Sequence, residues 1–312
     1  MDALSRLLAL YPMRTALDVR CHFGAPWALS EDNAGPGIAP YHLIVSGTGY
    51  LDLAGQRDIP LQTGDIVVFP HGTSHCLHTG REEPPMPARV FGGEQAVLVK
   101  GNDGAGPTAD ILCGQFHFDA GASHTLVEAL PQLILVRTAG RPEFAGLQAL
   151  MTMLRYETEE MRPGASTVVA QLASALFAML MRAWLEQADS IPGLFALLAQ
   201  PRLQAALHAM LEKPAEPWSV EQLAELCHMS RATFARLFRE AAGATPGEVL
   251  MRTRMTLAAQ WLAQGRQSVG AIGEAVGYQS EAAFNRVFKR CFGVGPGQYR
   301  RASRLQALSE AA

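Results

Sequence analysis

From Tyr41 to Phe118 the chain is written in short apolar runs broken by turn residues: YHLIVSGTGYLDLAG, then IPLQTGDIVVFPHGTSHCLH, then AVLVKGNDGAGPTADILCGQFHFD. Runs of this length and spacing predict β-strands of a sandwich or barrel. Further on the period changes. Phe144, Leu147, Leu150, Met151 and Leu154 recur at three and four, as do Leu172, Leu176, Leu180 and Trp184, so two amphipathic helices are predicted. Gly164 and Pro192 bracket the second of them. Such a pair either packs two chains together or covers the β region.

A third pattern occurs twice. Ser219, with Gln222 three residues on, reads as a capping box that opens a helix. VEQLAELCHM then sets Val220, Leu223, Ala224 and Cys227 on one face, Met229 and Ser230 turn the chain, and RATFARLFREAAG forms a second helix closed by Gly243. About fifty residues later Ser268 caps VGAIGEAVGY, Gly277 turns the chain, and SEAAFNRVFKRCFG repeats the second helix with Phe284, Val287, Phe288 and Cys291 inward. The outward faces carry Arg231, Arg236 and Arg239 in one copy and Asn285, Arg286, Lys289 and Arg290 in the other. This is helix-turn-helix spacing. Arg and Lys neutralise phosphates, and side chains near the start of the second helix reach base edges in a major groove. A single basic helix face is usually a solvated surface; its repetition argues for double-stranded DNA as partner.

Charge sharpens that reading. The chain of 312 residues carries a net charge of −3, but residues 201–312 hold 14 Lys+Arg against 9 Asp+Glu and the first 200 hold 12 against 20. The basic third is the one with the repeated motif. The amino terminus lacks the features of a signal peptide. The apolar stretch from Val168 to Leu185 is interrupted by Gln171, Ser174 and Arg182, which predicts a buried or interface helix in place of a membrane span. Five cysteines without a CxxC pair fit neither a disulfide scaffold nor a four-thiolate zinc site, so reduced thiols in the cytoplasm are expected.

The string IGEAVGYQSEAAFNRVFKRCFGVGPGQYR resembles the second helix-turn-helix of AraC/XylS-type regulators, and the likeness extends over roughly residues 200 to 305. The resemblance implies two recognition helices in successive major grooves, joined by a linker helix at about Thr245 to Gln264. It puts base readers at Ala232, Thr233, Ala235 and Arg236, and at Glu281, Ala282, Asn285 and Arg286. Ala232 and Ala235 offer only methyl groups, so readout by the first unit leans on Arg231, Thr233 and Arg236. Lys289 is taken as a phosphate contact, and Arg239 completes the DNA-facing set. RNA polymerase is a further expected partner, and the Leu172–Leu176–Leu180–Trp184 stripe predicts a second copy of the chain, docked through the β region or the helix pair at 144–188.

Upstream, Gly64 to His75 reads G-x5-P-x-G-x2-H, which resembles the second motif of cupin barrels, with His75 turned inward. Only His42 stands where an earlier metal-binding strand would supply ligands, and no Glu follows at the expected interval. The alternatives are core histidines or ligand contact, including a soft metal site if Cys76 or Cys113 joins His42 and His75. No cofactor is required. The words MDALSRLL, Cys21 with Trp27 six residues on, Tyr41-His42, the His75 motif and Cys113-Gly114 resemble the reactive-chlorine-responsive activators of the same family. That resemblance implies a switch by cysteine oxidation, with Cys21 and Cys113 as the matching residues. Cys21 lies between Arg20 and His22, which favours a thiolate; Cys227 and Cys291 fall at inward helical positions.

The expected fold is therefore α+β: a cupin-like β-barrel over residues 1–135, a helical linker and dimerisation region over 136–198, and an all-α DNA-binding domain with two helix-turn-helix units over 199–305. The expected function is a sequence-specific regulator, an activator, switched by oxidation. The competing readings are the same architecture switched by an organic effector or metal in the cupin cavity, a cupin enzyme with a helical appendage, and an architectural nucleic-acid binder.

Overall fold

The computed structural model describes residues 2–11, 13–91, 96–118, 127, 129–159, 162–188, 191 and 193–310, without the side chains beyond 305, so Pro192 lies outside the described residues. The chain divides into two compact units. One comprises Met13–Phe118 and Leu130–Asp189; the other comprises the described parts of 1–12, 119–129 and 190–312.

Among the described residues the first unit has eleven strands: β1 Met13–Gly24, β2 Ala28–Glu31, β3 Ile38–Ser46, β4 Thr48–Leu53, β5 Gln56–Gln62, β6 Asp65–Val68, β7 His75–His78, β8 Arg89–Phe91, β9 Leu98–Gly101, β10 Thr108–Phe118 and β11 Ile134–Arg137. They form a seven-stranded sheet in the order β11-β6-β3-β10-β1-β9-β8 and a four-stranded sheet in the order β2-β7-β4-β5. Side chains alternate between the faces of each strand. Cys21, Phe23, Ile44, Val67, Phe69, Ile111 and Cys113 from the larger sheet meet Leu29, Leu51, Leu53 and Leu77 from the smaller one in a single core. The other face of the larger sheet is covered too, which is why β3, β6 and β10 read as nearly unbroken apolar runs.

That cover is the helix pair α2, Ala145–Glu159, and α3, Ala165–Gln187. Helix α3 packs on β1 and β11, and Phe177 sets its ring edge-on to Phe116 and Phe118 at 4.9 and 5.7 Å. The Gln187 side chain then ties the end of α3 to the backbone N–H and C=O of Arg137 in β11. The stripe that suggested a dimer contact is spent here: Leu176, Leu180 and Trp184 are buried within this unit and Leu172 is half-buried. Of the two uses open to such a stripe, covering the sheet is the one adopted. By length and composition α3 is apolar enough to cross a membrane, but its apolar face is engaged by the sheet.

Two glycines aim His75. Gly64 has φ +91°, and a Cβ there would lie 2.7 Å from the Thr138 hydroxyl, while Gly72 has φ +65° and a Cβ there would press on Ala34. Only glycine adopts these turns without strain.

The second unit is helical: α1 Ala3–Leu10, α4 Gly193–Ala199, α5 Gln204–Glu212, α6 Val220–Leu226, α7 Arg231–Ala242, α8 Pro246–Gln264, α9 Val269–Ala275, α10 Glu281–Phe292 and α11 Pro296–Glu310. It holds two cores. Leu207, Leu223, Phe234 and Phe238 build one; Ile272, Val276, Phe284 and Phe288 build the other. Each of these phenylalanines is fully buried, which stabilises by about 2–3 kcal/mol apiece. Helix α8 serves both cores, giving Val249 and Leu250 to the first and Met255, Ala258, Ala259 and Leu262 to the second. It is a rod about 28 Å long at 1.5 Å per residue.

The compact units cut the chain differently from the boundaries read off the sequence. Helix α1 buries Leu7 and Leu10 on α5 and α8, with Arg6 on Glu212 at 2.8 Å, so residues 2–11 belong with the carboxyl-terminal helices. The helix pair α2–α3 belongs with the strands it covers.

Candidate nucleic-acid interface and thiol centre

Helices α7 and α10 have the same burial pattern over their first ten residues, fifty positions apart. In each the fourth and eighth residues, Phe234 and Phe238 or Phe284 and Phe288, are buried, and the first, second, sixth and ninth are exposed. Arg231, Ala232, Arg236 and Arg239 therefore face outward in one, and Glu281, Ala282, Arg286 and Lys289 in the other. Thr233, Ala235 and Asn285 are half-buried at the rim. Asn285 departs from a fully outward reader: its Oδ1 is shielded and has no hydrogen-bond partner among the described residues.

Local chemistry fixes both helices. Ser230 and Ser280 accept from the backbone N–H three residues on, and Gly243 and Gly293 close the helices at φ +65° and +73°. The Ser219–Gln222 capping box opens α6, and a second one, Thr245–Glu248, opens α8. The turns differ: His228 takes φ +53° where the second unit has Gly277 at +87°. Arg231 pairs with Glu221 at 2.8 Å and Arg236 with Glu240 at 2.9 Å. All four partners are exposed, so these pairs are weak and exchange readily for phosphate oxygens.

A second constellation lies inside the barrel. Cys21 on β1 and Cys113 on β10 are buried, with sulfurs 4.0 Å apart. The Cys113 sulfur is 3.0 Å from Nδ1 of His42 on β3. Nε2 of His42 is 2.7 Å from Nε2 of His75 on β7, and Nδ1 of His75 is 2.8 Å from the Thr73 carbonyl. The His75 ring stacks on Phe69 at 3.6 Å between centroids. Four strands from two sheets thus deliver one continuous chain of polar atoms into an apolar core. Burial holds both imidazoles below the usual histidine range, His42 far below it. Cys113 is held well above the usual thiol range, first by its contact with Cys21 and then by burial.

Several sequence expectations meet corrections here. Arg20 does not act on the Cys21 sulfur, because neighbouring strand residues point to opposite faces. It lies outside the barrel, where it grips Asp110 at 2.9 and 2.8 Å and Glu159 at 3.1 Å. Cys76 adjoins His75 on the same strand and so faces away from the His42–His75 pair, with its sulfur 3.3 Å from the Ser30 hydroxyl. Two imidazoles on one tetrahedral metal need nitrogens about 3.3 Å apart at the usual bond lengths; at 2.7 Å these rings are hydrogen-bonded to each other. Cys291 is exposed beside the Met251 sulfur at 3.5 Å, while Cys227 is half-buried at the end of α6. Thr73 and Phe69 were not singled out from the sequence; a backbone carbonyl and a stacking ring leave no spacing signal. Nor was Asp52–Asp58–His78, a trio on the smaller sheet whose carboxylates Arg81 already bridges.

A two-sheet barrel and paired helix-turn-helix units on one chain define a transcription regulator with a DNA-binding domain and a separate β domain. Comparison with known proteins agrees: the Cupin family matches residues 2–186 and the Helix-turn-helix domain family residues 223–302. The chain is 31% identical to the RCS-specific HTH-type transcriptional activator RclR of Escherichia coli K12, over 96% of this chain and 97% of that one. It is 30% identical to the HTH-type transcriptional regulator MtrA of Neisseria gonorrhoeae, over 96% and 98%. Among solved structures, the DNA-binding domain of AdpA in complex with a target DNA is 31% identical over 34% of this chain and 96% of that one, with a TM-score of 0.32. The chain belongs to the AraC/XylS family of transcription regulators.

Proposed function

We propose that this regulator is a cytoplasmic, non-enzymatic activator that binds operator DNA through α7 and α10, recruits RNA polymerase, and is switched on by oxidation of Cys21 and Cys113, with reactive chlorine species as the oxidant. One observation carries the switch: the two sulfurs lie 4.0 Å apart in the barrel interior. A disulfide needs about 2.05 Å. Two-electron oxidation of one thiol, followed by attack of the other, closes the gap and leaves a covalent change that cellular thiols reverse. Its likeness to an RCS-specific activator across nearly the whole chain supports this oxidant class.

For DNA, the support is the repeated outward face: Arg231, Arg236 and Arg239 in the first unit and Arg286 and Lys289 in the second, with Ala232, Glu281 and Ala282 beside them and Thr233, Ala235 and Asn285 at the rim. The regulator acts as a homodimer, for which Met153, Tyr156 and Val168 are exposed on the α2–α3 pair after its apolar stripe is used on the sheet. His42 and His75 work in this reading as partners of a thiol, not as an enzyme's metal ligands.

The test is transcription from an operator-bearing template with reduced or hypochlorite-treated protein. Wild type should be activated by oxidant, and a Cys21→Ser, Cys113→Ser variant should bind the operator without responding. Full response of that variant moves the switch to an organic effector or metal in the barrel.

A further inference from the structure

Oxidation of a buried thiol raises a question the distances answer: where does its proton go? The chain of contacts has one fixed end. The Thr73 carbonyl can only accept, so His75 Nδ1 carries the hydrogen of that 2.8 Å bond. In a neutral ring Nε2 of His75 is then a bare acceptor, and the 2.7 Å contact obliges His42 Nε2 to donate to it. His42 Nδ1 is left bare, pointing at the Cys113 sulfur from 3.0 Å, and the Cys113 S–H donates to it. Tautomers are set here by the hydrogen-bond network, link by link. Burial, which disfavours either ring as a cation, keeps both neutral at rest. Cys21 has no such base: its sulfur contact is Cys113, and it is fully buried where Cys113 retains 8% exposure.

We propose that Cys113 is the thiol that meets the oxidant, that His42 takes its proton, that His75 and the Thr73 carbonyl are the positioning groups that hold His42 in the accepting tautomer, and that Cys21 is the resolving thiol. This rests on the oxidation switch proposed above and assigns the roles within it. The Cys113 S–H bond breaks as its proton moves to His42 Nδ1, and the imidazolium keeps its Nε2–H bond to His75. The sulfur electron pair attacks the chlorine of hypochlorous acid; an S–Cl bond forms, the O–Cl bond breaks, and hydroxide leaves and takes the His42 proton as water. Cys21 sulfur then attacks Cys113 sulfur. The S–S bond forms, chloride departs from Cys113, and Cys21 gives up its proton, so that hydrogen chloride is the co-product. Two thiols lose two electrons and chlorine gains them. A thiol kept neutral at rest, with its base in contact, stays quiet toward weak oxidants while its proton is already matched to an acceptor.

The roles are tested on the full-length reduced protein. Nitrogen-15 NMR of the imidazoles should find His75 as the Nδ1–H tautomer and His42 as the Nε2–H tautomer; the opposite assignment for His42 overturns the proposal without any variant. His75→Ala should release His42 into a mixture of both tautomers, and an unchanged His42 spectrum removes His75 from its positioning role. With hydrogen peroxide as a slow probe and peptide mass spectrometry as readout, His42→Gln should lower the rate of Cys21–Cys113 linkage tenfold or more. Exposed Cys291 should oxidise at its wild-type rate in the same sample, which controls for folding and dose. An unchanged linkage rate rejects His42 as the base. In Cys21→Ser, Cys113 should accumulate as sulfenic acid, whereas in Cys113→Ser, Cys21 should stay reduced; rapid oxidation of Cys21 there reverses the roles. These failures differ from failure of the switch itself, which is absence of any Cys21–Cys113 linkage in wild type under hypochlorite.

Discussion

Cys21 does not stand opposite Cys113. In the antiparallel register of β1 and β10 the residue across from Cys113 is Val19, and Cys21 faces Ile111, so the two sulfurs meet on a diagonal. Directly opposed pairs approach more closely than diagonal ones, and closing the last two ångströms or so requires β1 and β10 to shift against each other. The shift has an outlet. Arg20, next to Cys21 but on the outer face, clamps Asp110 of β10 and Glu159 at the end of α2, and Arg155 of α2 reaches Asp110 at 3.4 Å. Under the proposed switch, oxidation inside the barrel would act on α2 through this clamp.

The clamp also bears on stability. Asp110 is almost fully buried, and removing Arg20 leaves its charge with Arg155 alone. Arg20→Met should cost about 3 kcal/mol, at the low end for a broken buried pair because Arg155 remains. Urea unfolding measures it. The same variant should form the Cys21–Cys113 linkage under hypochlorite but respond weakly in transcription; a full response would show that α2 does not carry the signal.

Acid should weaken the β unit through its two buried imidazoles. Burial lowers the folded pKa of His42 and His75, so as pH falls through about 6.5 the unfolded chain binds protons that the folded chain does not. Stability is therefore whole above that pH and lost below it, by up to about 1.4 kcal/mol per pH unit for each ring. Urea midpoints at pH 7.5, 6.5 and 5.5 should fall accordingly, and His42→Gln should flatten the slope. Equal slopes in the two proteins would mean that His42 takes up a proton without unfolding.

On the DNA side, two neighbours on α10 should behave differently. Arg286→Ala removes a base-facing side chain and should cost about 1–3 kcal/mol at the operator while relaxing preference at one base pair. Lys289→Ala, one turn on, should weaken all sequences alike and reduce the salt slope by about one. Footprinting and binding at several salt concentrations separate the two. A uniform loss for Arg286→Ala would reassign it to phosphate contact.

The two helix-turn-helix units and the helix that links them were legible almost to the residue, while α1, α4, α5 and α11 were not read from the sequence. Ser219, Ser230 and Ser268 mark helix starts, Gly243 marks an end, and the inward phenylalanines recur at the right spacing because helix periodicity and capping are local properties. Cys291 failed because a periodic position says which way a side chain points, not whether anything packs over it. The Leu172–Trp184 stripe has the same ambiguity: a dimer seam and a cover for a sheet are written alike. Arg20 was misjudged where strand alternation would have corrected it. His42 and His75 were paired from the sequence as candidate ligands, but their direct hydrogen bond was not, since it joins strands of different sheets and exists only once the barrel closes.

The central claim is that one specific disulfide is the on state. Peptide mass spectrometry of the full-length protein, sampled across a hypochlorite titration while transcription is measured in the same tubes, tests it most directly. The account predicts a Cys21–Cys113 cross-link, lighter by two hydrogens than the two free peptides, rising in step with transcription and reversed with it by a thiol reductant. Transcription fully switched on while both thiols remain free would contradict it.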